Sequence, residues 1–341
     1  MCGMVRGVVV RFLLVGVVIF SIFSAGCHIQ KPPPPDENHY DPRNISRTET
    51  DSYGPSIAIG PDGTVYVAWM DGGHGEYENS HIYFRYKHSG EDWSDIEILS
   101  DTTTDSWSPQ LAVDPSGNLH LVWEEQDPDL PHAKIYYRMR EPSGEWTGIQ
   151  VLATGGAEQP RIAVDPSGTV HVVWLEGSSL KYKAKSSGGS WGPRETLPVG
   201  SQGAVNPAIC SDAEGGVHVV YEAGNEDIKY LYRSPTGQWS EPVNVSQSPS
   251  WYSWVPSVAV NSSGLVWVNW VERSQRAMYF AFKEPGGDWS IPDSVPNIPG
   301  YPWTNCIQFD NQGTLLHYVW QEGRNGPYEI CLLYTSPSPR D

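Results

Sequence analysis

One pattern constrains this chain more than any other: Pro-x-Ile-Ala-Val-Asp-x-x-Gly-x-Val-His-Val-Val-Trp, complete at Pro160, recurs from Pro55, Pro109, Pro207, Pro256 and, more loosely, Asn305. The aromatics that close the six copies are Trp69, Trp123, Trp174, Tyr221, Trp270 and Trp320, spaced 47 to 54 residues apart. Within each copy the apolar residues alternate, as they do on a strand with one buried face, and a Gly-containing turn divides the run into a hairpin. We label these strands A and B. A third run follows, such as "HIYFRYK" or "KIYYRMR" (strand C), and then Trp93, Trp146, Trp191, Trp239 or Trp289 opens a fourth (strand D). A repeat near fifty residues, built of short strands that bury their faces only against neighbouring copies, is what propeller blades produce. The expected fold is all-β: a six-bladed β-propeller of four-stranded antiparallel blades over residues 43–330, with seven blades as the alternative.

Composition agrees with short strands and tight turns: 15 Trp, 18 Tyr, 34 Gly and 29 Pro in 341 residues, and no helical apolar spacing after residue 30. A net charge of −18 repels phosphate, which argues against nucleic acid or an anionic membrane surface as a partner. Residues 1–26 read as a targeting segment, with Arg6 and Arg11 before the apolar run from Phe12 to Phe23. The small residues Ser24, Ala25 and Gly26 lead to Cys27, which resembles the lipidated cysteine of a bacterial lipoprotein although Ser24 stands where leucine is usual. Residues 27–42, rich in proline, read as a stiff spacer holding the domain off a membrane reached only through that lipid. The reading is thus of a secreted, monomeric cell-envelope protein.

Both ends of the repeat array carry further expectations. "RNISRTETDSYGPS" from Arg43 parallels "PVNVSQSPSWYSWVPS" from Pro242, so the segment at Arg43–Ser46 is expected to be an orphan strand D that completes the last blade. The sixth copy is expected to stop after strand B, because "CLLYTSPSPRD" (residues 331–341) looks like a translated sequencing-library adapter. Cys210 and Cys306 fall on inner strands of different copies and are expected to be separate buried thiols. No Cys or His spacing suits a metal, and no cofactor is expected.

The turns before the strand-D tryptophans, "SPTGQWS" from Ser234 and "PSGEWT" from Pro142, resemble degenerate Asp-boxes. Over residues 43–330 the chain therefore resembles the sialidase-like, BNR-repeat superfamily. That resemblance implies the propeller fold, and it implies sialic-acid chemistry only if the family's machinery is present. The family's three substrate-binding arginines and its Arg-Ile-Pro motif have no clear counterpart: "PRIA" at Pro160 has the proline on the wrong side, and Arg273, Arg276 and Arg324 fall in loops after strand B.

Candidate site residues come from positions where the copies differ. The histidine of strand B returns as His120, His171, His218 and His317, and a side chain repeated in blade after blade reads as structural. Acids close strand B at Asp71, Glu125, Glu176, Glu222, Glu272 and Glu322; they read as solvated loop acids or backbone caps, with a cation-holding ring as the alternative. Two residues before each strand-A proline, or its equivalent, stand Tyr53, Trp107, Glu158, Val205, Trp254 and Trp303. The aromatics among them, with Trp251, Tyr252 and Tyr301, suit the apolar faces of sugar rings, packing between blades being the competing reading. Arg161, whose counterparts are uncharged, is expected at the channel mouth, bound to a ligand carboxylate or paired with Glu158 or Glu176. The ligand-binding set is therefore Tyr53, Trp107, Arg161, Trp254 and Trp303, with no catalytic residue assigned. It suggests non-catalytic binding of a glycan or another extracellular ligand, such as a protein. A sialidase-like glycoside hydrolase or lyase and a protein-interaction scaffold are the alternatives.

Overall fold

The computed structural model describes residues 45–48, 52–72, 79–100, 103–126, 132–247, 252–296, 302–310, 313–322 and 329–335. Five four-stranded antiparallel sheets follow one another along the chain, and a three-stranded sheet follows them. In order A to D the blades are Ser52–Ile59, Val65–Gly72, Ser80–Lys87 and Glu97–Ile98; Ser106–Val113, Leu119–Gln126, Ala133–Arg140 and Gln150–Ala153; Ala157–Val164, Val170–Glu176, Ser179–Lys185 and Glu195–Thr196. The next are Ala204–Ser211, Val217–Ala223, Ile228–Arg233 and Val243–Asn244; Ser253–Val260, Val266–Glu272, Ala277–Lys283 and Asp293–Ser294; and, last, Pro302–Phe309, Leu316–Glu322 and Glu329–Thr335. Each strand A packs against the strand A of the next blade. This is the blade arrangement the repeat implies.

Strand alternation explains why one repeat needs its neighbours. In blade 2, Leu119, Leu121 and Trp123 face blade 1 and join Ala68, Ile82 and Phe84 in one buried cluster. The intervening Val122 faces blade 3 and joins Ile162, Val172 and Trp174 in another. Three more clusters fill the seams between blades 3 and 4, 4 and 5, and 5 and 6. Every such side chain that leaves water contributes about 1.5–3 kcal/mol.

The strand-D tryptophan ties each seam at the rim. Trp146, Trp191, Trp239 and Trp289 stand edge-on to Phe84, Tyr137, Tyr182 and Tyr230 of the preceding blade, with ring centroids 4.9–5.3 Å apart. Three of their indole N–H groups also donate backwards across the seam at 2.9 Å, from Trp146 to Glu97, Trp191 to Gln150 and Trp239 to Glu195. The repeated tryptophans are therefore latches between blades.

The recurrent histidine is structural as well. The Nδ1 atoms of His120, His171 and His218 are hydrogen-bonded with the hydroxyls of Tyr137, Tyr182 and Tyr230 at 2.7–2.8 Å. Their Nε2 atoms face Asp114, Asp165 and Asp212 at 3.5, 3.3 and 3.1 Å. Burial lowers the pKa of His171, and it takes His120 from 6.5 down to about 4 against the opposing pull of Asp114. A histidine whose folded pKa is depressed gives stability above its unfolded pKa and loses it on acidification. Replacing His120 with tyrosine, the residue blade 1 carries there as Tyr66, should flatten the fall of the urea midpoint between pH 6.5 and 4. A slope unchanged from the parent protein would contradict the assignment.

The sixth seam differs from the other five. Ile57 is 64% exposed, although its counterparts Leu111, Ile162, Val258 and Ile307 are buried. On the other side Val319 is 39% exposed, although Val122, Val173 and Val220 are buried. The segment 45–48 covers the outer part of blade 1: the Ile45 carbonyl accepts from Arg85 Nη1 at 2.8 Å, as the Leu152 carbonyl of strand D accepts from Lys183 Nζ at 3.0 Å across the next-but-one seam. That segment thus occupies the place a preceding strand D takes elsewhere. The sequence reading ended the last blade at strand B, whereas Glu329–Thr335 pairs along Leu316–Glu322 as a strand C. Its half-buried Leu333 packs on the cluster shared with blade 5.

Candidate functional site at the channel mouth

The two ends of the axial channel have different chemistry. At the end formed by the A–B turns lies a cavity of about 570 Å³, lined by turns such as Asp114–Pro115, Asp165–Pro166 and Asp212–Ala213. Its carboxylates are committed to their own turns: Asp114 Oδ1 accepts from the amides of Ser116 and Asn118, Asp165 from Ser167 and Thr169, and Asp212 from Glu214 and Gly216. The other end, where strand A begins, carries the residues that vary between blades.

A bulge shapes that end in each of the first five blades. The residue before the strand-A proline, or its equivalent, has a left-handed backbone: Gly54, Ser108, Gln159, Asn206 and Val255 have φ between 48° and 55°. Strand pairing skips at the same point, for example between Trp107 and Gln110 and between Trp254 and Ser257. A bulge of this kind re-aims side chains, and a left-handed residue other than glycine costs about 1–3 kcal/mol. Its return in five blades makes it an architectural device that turns the residue two before the proline toward the mouth.

The aromatic candidates follow from this device. Tyr53 is 45% exposed, Trp107 and Trp254 are half-buried, and Tyr252 is 51% exposed. The Arg273 guanidinium lies over the Trp254 ring, 5.2 Å from its centroid. Trp303 lies in the last strand A, but its side chain is outside the described residues, as are Trp251 and Tyr301 altogether. Cys27 also lies outside them.

The acids at the end of strand B divide into two sets, and one residue of offset decides between them. Asp71, Glu125, Glu176 and Glu272 lie two residues past the closing tryptophan, on the same side of the strand. Each accepts from that indole N–H, at 3.1, 2.6, 3.0 and 2.7 Å respectively. Ser52, Ser106 and Ser253 of strand A add hydroxyl donors to the first, second and last of these, and Thr104 adds another to Glu125. Asp71, Glu125 and Glu272 are buried, so these are neither solvated loop acids nor a cation ring but the internal partners of tryptophans.

Glu222 belongs to the other set, because it lies one residue past Tyr221 and is in step with Glu124. Both point to the opposite side of the strand, toward the bulge of the next blade. Glu124 Oε2 accepts from the Gln159 amide at 3.1 Å, and Gln159 Oε1 accepts from the Asn206 amide at 3.0 Å. Asn206 Nδ2 then donates to Glu222 at 3.0 Å. Burial raises the pKa of both Glu124 and Glu222.

Arg161 lies midway along the inner strand of blade 3, just past its bulge, and shares its position in the repeat with Cys306 of blade 6, across the channel. Water reaches both, but the surrounding strands desolvate them, drawing the guanidinium below its usual range and pushing the thiol above its own. Cys306 is therefore exposed to the channel, a correction to the expectation of a buried thiol; Cys210 is half-buried. Arg161 Nη1 donates to the Pro160 carbonyl at 2.9 Å, and its nearest acidic influence is Glu124. Glu176, one of the acids expected to pair with it, is held instead by Arg194 at 2.9 and 3.0 Å.

One constellation results at the seam of blades 2 and 3. Trp107 and Glu124 are directly opposed across the A–B pair of blade 2. Glu124 feels both Glu158, which raises its pKa, and Arg161, which lowers it. Glu158 is exposed and Glu124 is largely enclosed. An aromatic face, two carboxyl groups in unlike surroundings and one arginine thus meet within electrostatic reach. Among the described residues, no three His, Cys, Asp or Glu side chains converge on a possible metal site. The sequence reading missed Glu124, although its one-residue offset from Glu125 was visible.

No family model matches the chain, and no curated protein matches it in sequence. Solved structures do match it in shape. A protein of unknown function from Dyadobacter fermentans has a TM-score of 0.62 at 11% identity, covering 84% of this chain and 94% of that one. The intramolecular trans-sialidase of Ruminococcus gnavus has a TM-score of 0.59 at 11% identity, covering 85% and 95%. The α-L-arabinanase of Penicillium chrysogenum has a TM-score of 0.59 at 15% identity, covering 83% and 93%. The fold is a sialidase-like β-propeller. At such identities the likeness extends to the fold and no further, and function must be argued from the site.

Proposed function

We propose that this propeller is a carbohydrate-active protein that hydrolyses a glycosidic bond at the channel mouth between blades 2 and 3. The observation that carries this reading is the meeting of Glu124, Glu158 and Arg161 beside Trp107. Trp107 offers a flat apolar face to a sugar ring. Glu124, whose burial favours the protonated carboxyl, holds the proton for the leaving glycosidic oxygen. Glu158, exposed to water, is the second carboxyl, which activates water or attacks the sugar carbon, and Arg161 orients the sugar. Two carboxyls in unlike environments are the arrangement glycoside hydrolysis requires. In the same proposal the domain stands outside the cytoplasm as a monomer, tethered through a lipid on Cys27.

Binding without turnover is favoured by one specific contact, the amide of Gln159 held by Glu124 at 3.1 Å, which gives that carboxylate a capping role. A panel of fluorogenic glycosides that includes arabinofuranosides and sialosides separates the two. Turnover of one member, lowered in Trp107→Ala, is the expected result. Glycan binding without turnover anywhere in the panel would leave the binding reading, and absence of both would leave a protein-interaction scaffold.

A further inference from the structure

The amide that Glu124 holds does more than close a bulge. Glu124 Oε2 accepts from the Gln159 amide at 3.1 Å, and among the described residues nothing donates to its Oε1. Glu222, the carboxyl in step with it two blades on, takes two donors, the Asn206 side chain at 3.0 Å and the Val255 amide. Two donors favour an ionised carboxylate, whereas a single donor leaves the second oxygen able to carry a proton. The charged groups that act on Glu124 are Glu158 and Arg161, in opposite directions.

Gln159 is anchored beyond what a cap requires. Its φ is 52°, and its Oε1 accepts from the Asn206 amide of the next blade at 3.0 Å. The bulge itself does not need such an anchor, because Val255, with φ 48° and an apolar side chain, donates to Glu222 without one. Side chain and amide share one Cα, so fixing the Gln159 carboxamide on blade 4 also fixes where its N–H points. That in turn decides which oxygen of Glu124 is bound.

We infer that Gln159 is a positioning residue for the proposed hydrolysis: it occupies Glu124 Oε2, so that the acidic proton resides on Oε1 and is delivered from there. This inference rests on the proposed function, in which Glu124 is the acid. As the glycosidic C–O bond breaks, its electron pair stays on the leaving oxygen, which takes the proton from Oε1. The negative charge left on Glu124 is met at Oε2 by an N–H already in place. The carboxylate regains its proton from water before the next turnover.

The test compares Gln159→Gly and Gln159→Met with Val255→Gly on two substrates of one sugar, the fluorogenic aryl glycoside that the parent turns over and a disaccharide. Glycine keeps the amide and suits a positive φ, so both glycine variants should unfold in urea near the parent's midpoint. Methionine keeps the length of the side chain but is a poor acceptor. In both Gln159 variants kcat should fall about tenfold or more on the disaccharide. The loss should be smaller on the aryl glycoside, whose phenolate leaves with little help from a proton. KM should hold, and the alkaline limb of kcat should move to higher pH, because a looser amide stabilises the carboxylate less. Val255→Gly should match the parent throughout. Parent-like kcat and pH profile in the Gln159 variants, equal losses on both substrates, or the same losses in Val255→Gly would each overturn the inference. Glu124→Gln would still lower turnover in those cases, leaving the hydrolase standing. No turnover of any glycoside by the parent would remove the hydrolase and this inference together.

Discussion

Replacing Trp123 with phenylalanine is expected to destabilise the fold by about 3 kcal/mol, more than the loss of ring volume explains. The indole N–H of Trp123 donates to Glu125 at 2.6 Å, and both side chains are buried. Hydrogen bonds to a charged group contribute about 1.5–3 kcal/mol, and a buried charge that loses a donor retains its desolvation cost. Ser106 and Thr104 still donate to Glu125 in the variant, which keeps the loss near that range. The double variant Trp123→Phe/Glu125→Val removes donor and acceptor together, so it should be more stable than the sum of the single changes by about 1–3 kcal/mol. Urea unfolding of the four proteins measures that coupling, and simple additivity would show that the carboxylate does not depend on the indole.

The chain already contains a natural version of this cycle. In blade 4 the closing aromatic is Tyr221, and Ala223 stands where the other described blades place the acid. Where the indole is absent, its buried carboxylate is absent as well. Ala204 likewise replaces the serine that supports the acid in blades 1, 2 and 5. The aromatic and the acid change together, as a donor and acceptor should when neither is tolerable alone, whereas the serine is an accessory: blade 3 keeps Trp174 and Glu176 with Ala157 in its place.

Features tied to repetition were legible in the sequence because repetition is itself a structural statement. The period located the blades, and the alternation in "TVHVVW" located their buried faces. The mouth was only half legible. Ser108, Gln159, Asn206 and Val255 give no sign of a left-handed backbone, since none is glycine; the ring imposes that conformation on them. The acids at the end of strand B were legible as a group but not as two sets, because adjacent residues such as Glu124 and Glu125 differ only in which side of a strand they face. The sixth seam was illegible for a different reason. Ile57 and Val319 obey the same pattern as their buried counterparts, and no local pattern records whether a neighbour is present.

Converting Glu124 to glutamine separates catalysis from architecture more sharply than any other single change. If Glu124 is the proton donor, Glu124→Gln lowers kcat by about 10²–10⁴-fold and removes the alkaline limb of the pH profile, where the parent carboxyl loses its proton. Stability should move the other way. Burial raises the folded pKa of Glu124, so the stability this carboxyl contributes is present at low pH and is lost as pH rises through that raised value. Glutamine has no proton to lose and can still accept from the Gln159 amide. The variant should therefore match the parent in acid and equal or exceed it at neutral pH, as read from unfolding midpoints across the range. A purely structural cap predicts the reverse pairing: weakened stability at neutral pH, where the lost negative charge would have held the amide, and unchanged turnover. Glu158→Gln supplies the contrast, because the second carboxyl is needed for turnover but makes no cap on the Gln159 amide. Loss of turnover in both variants, with the alkaline limb removed only in Glu124→Gln, would identify the two carboxyls as the catalytic pair.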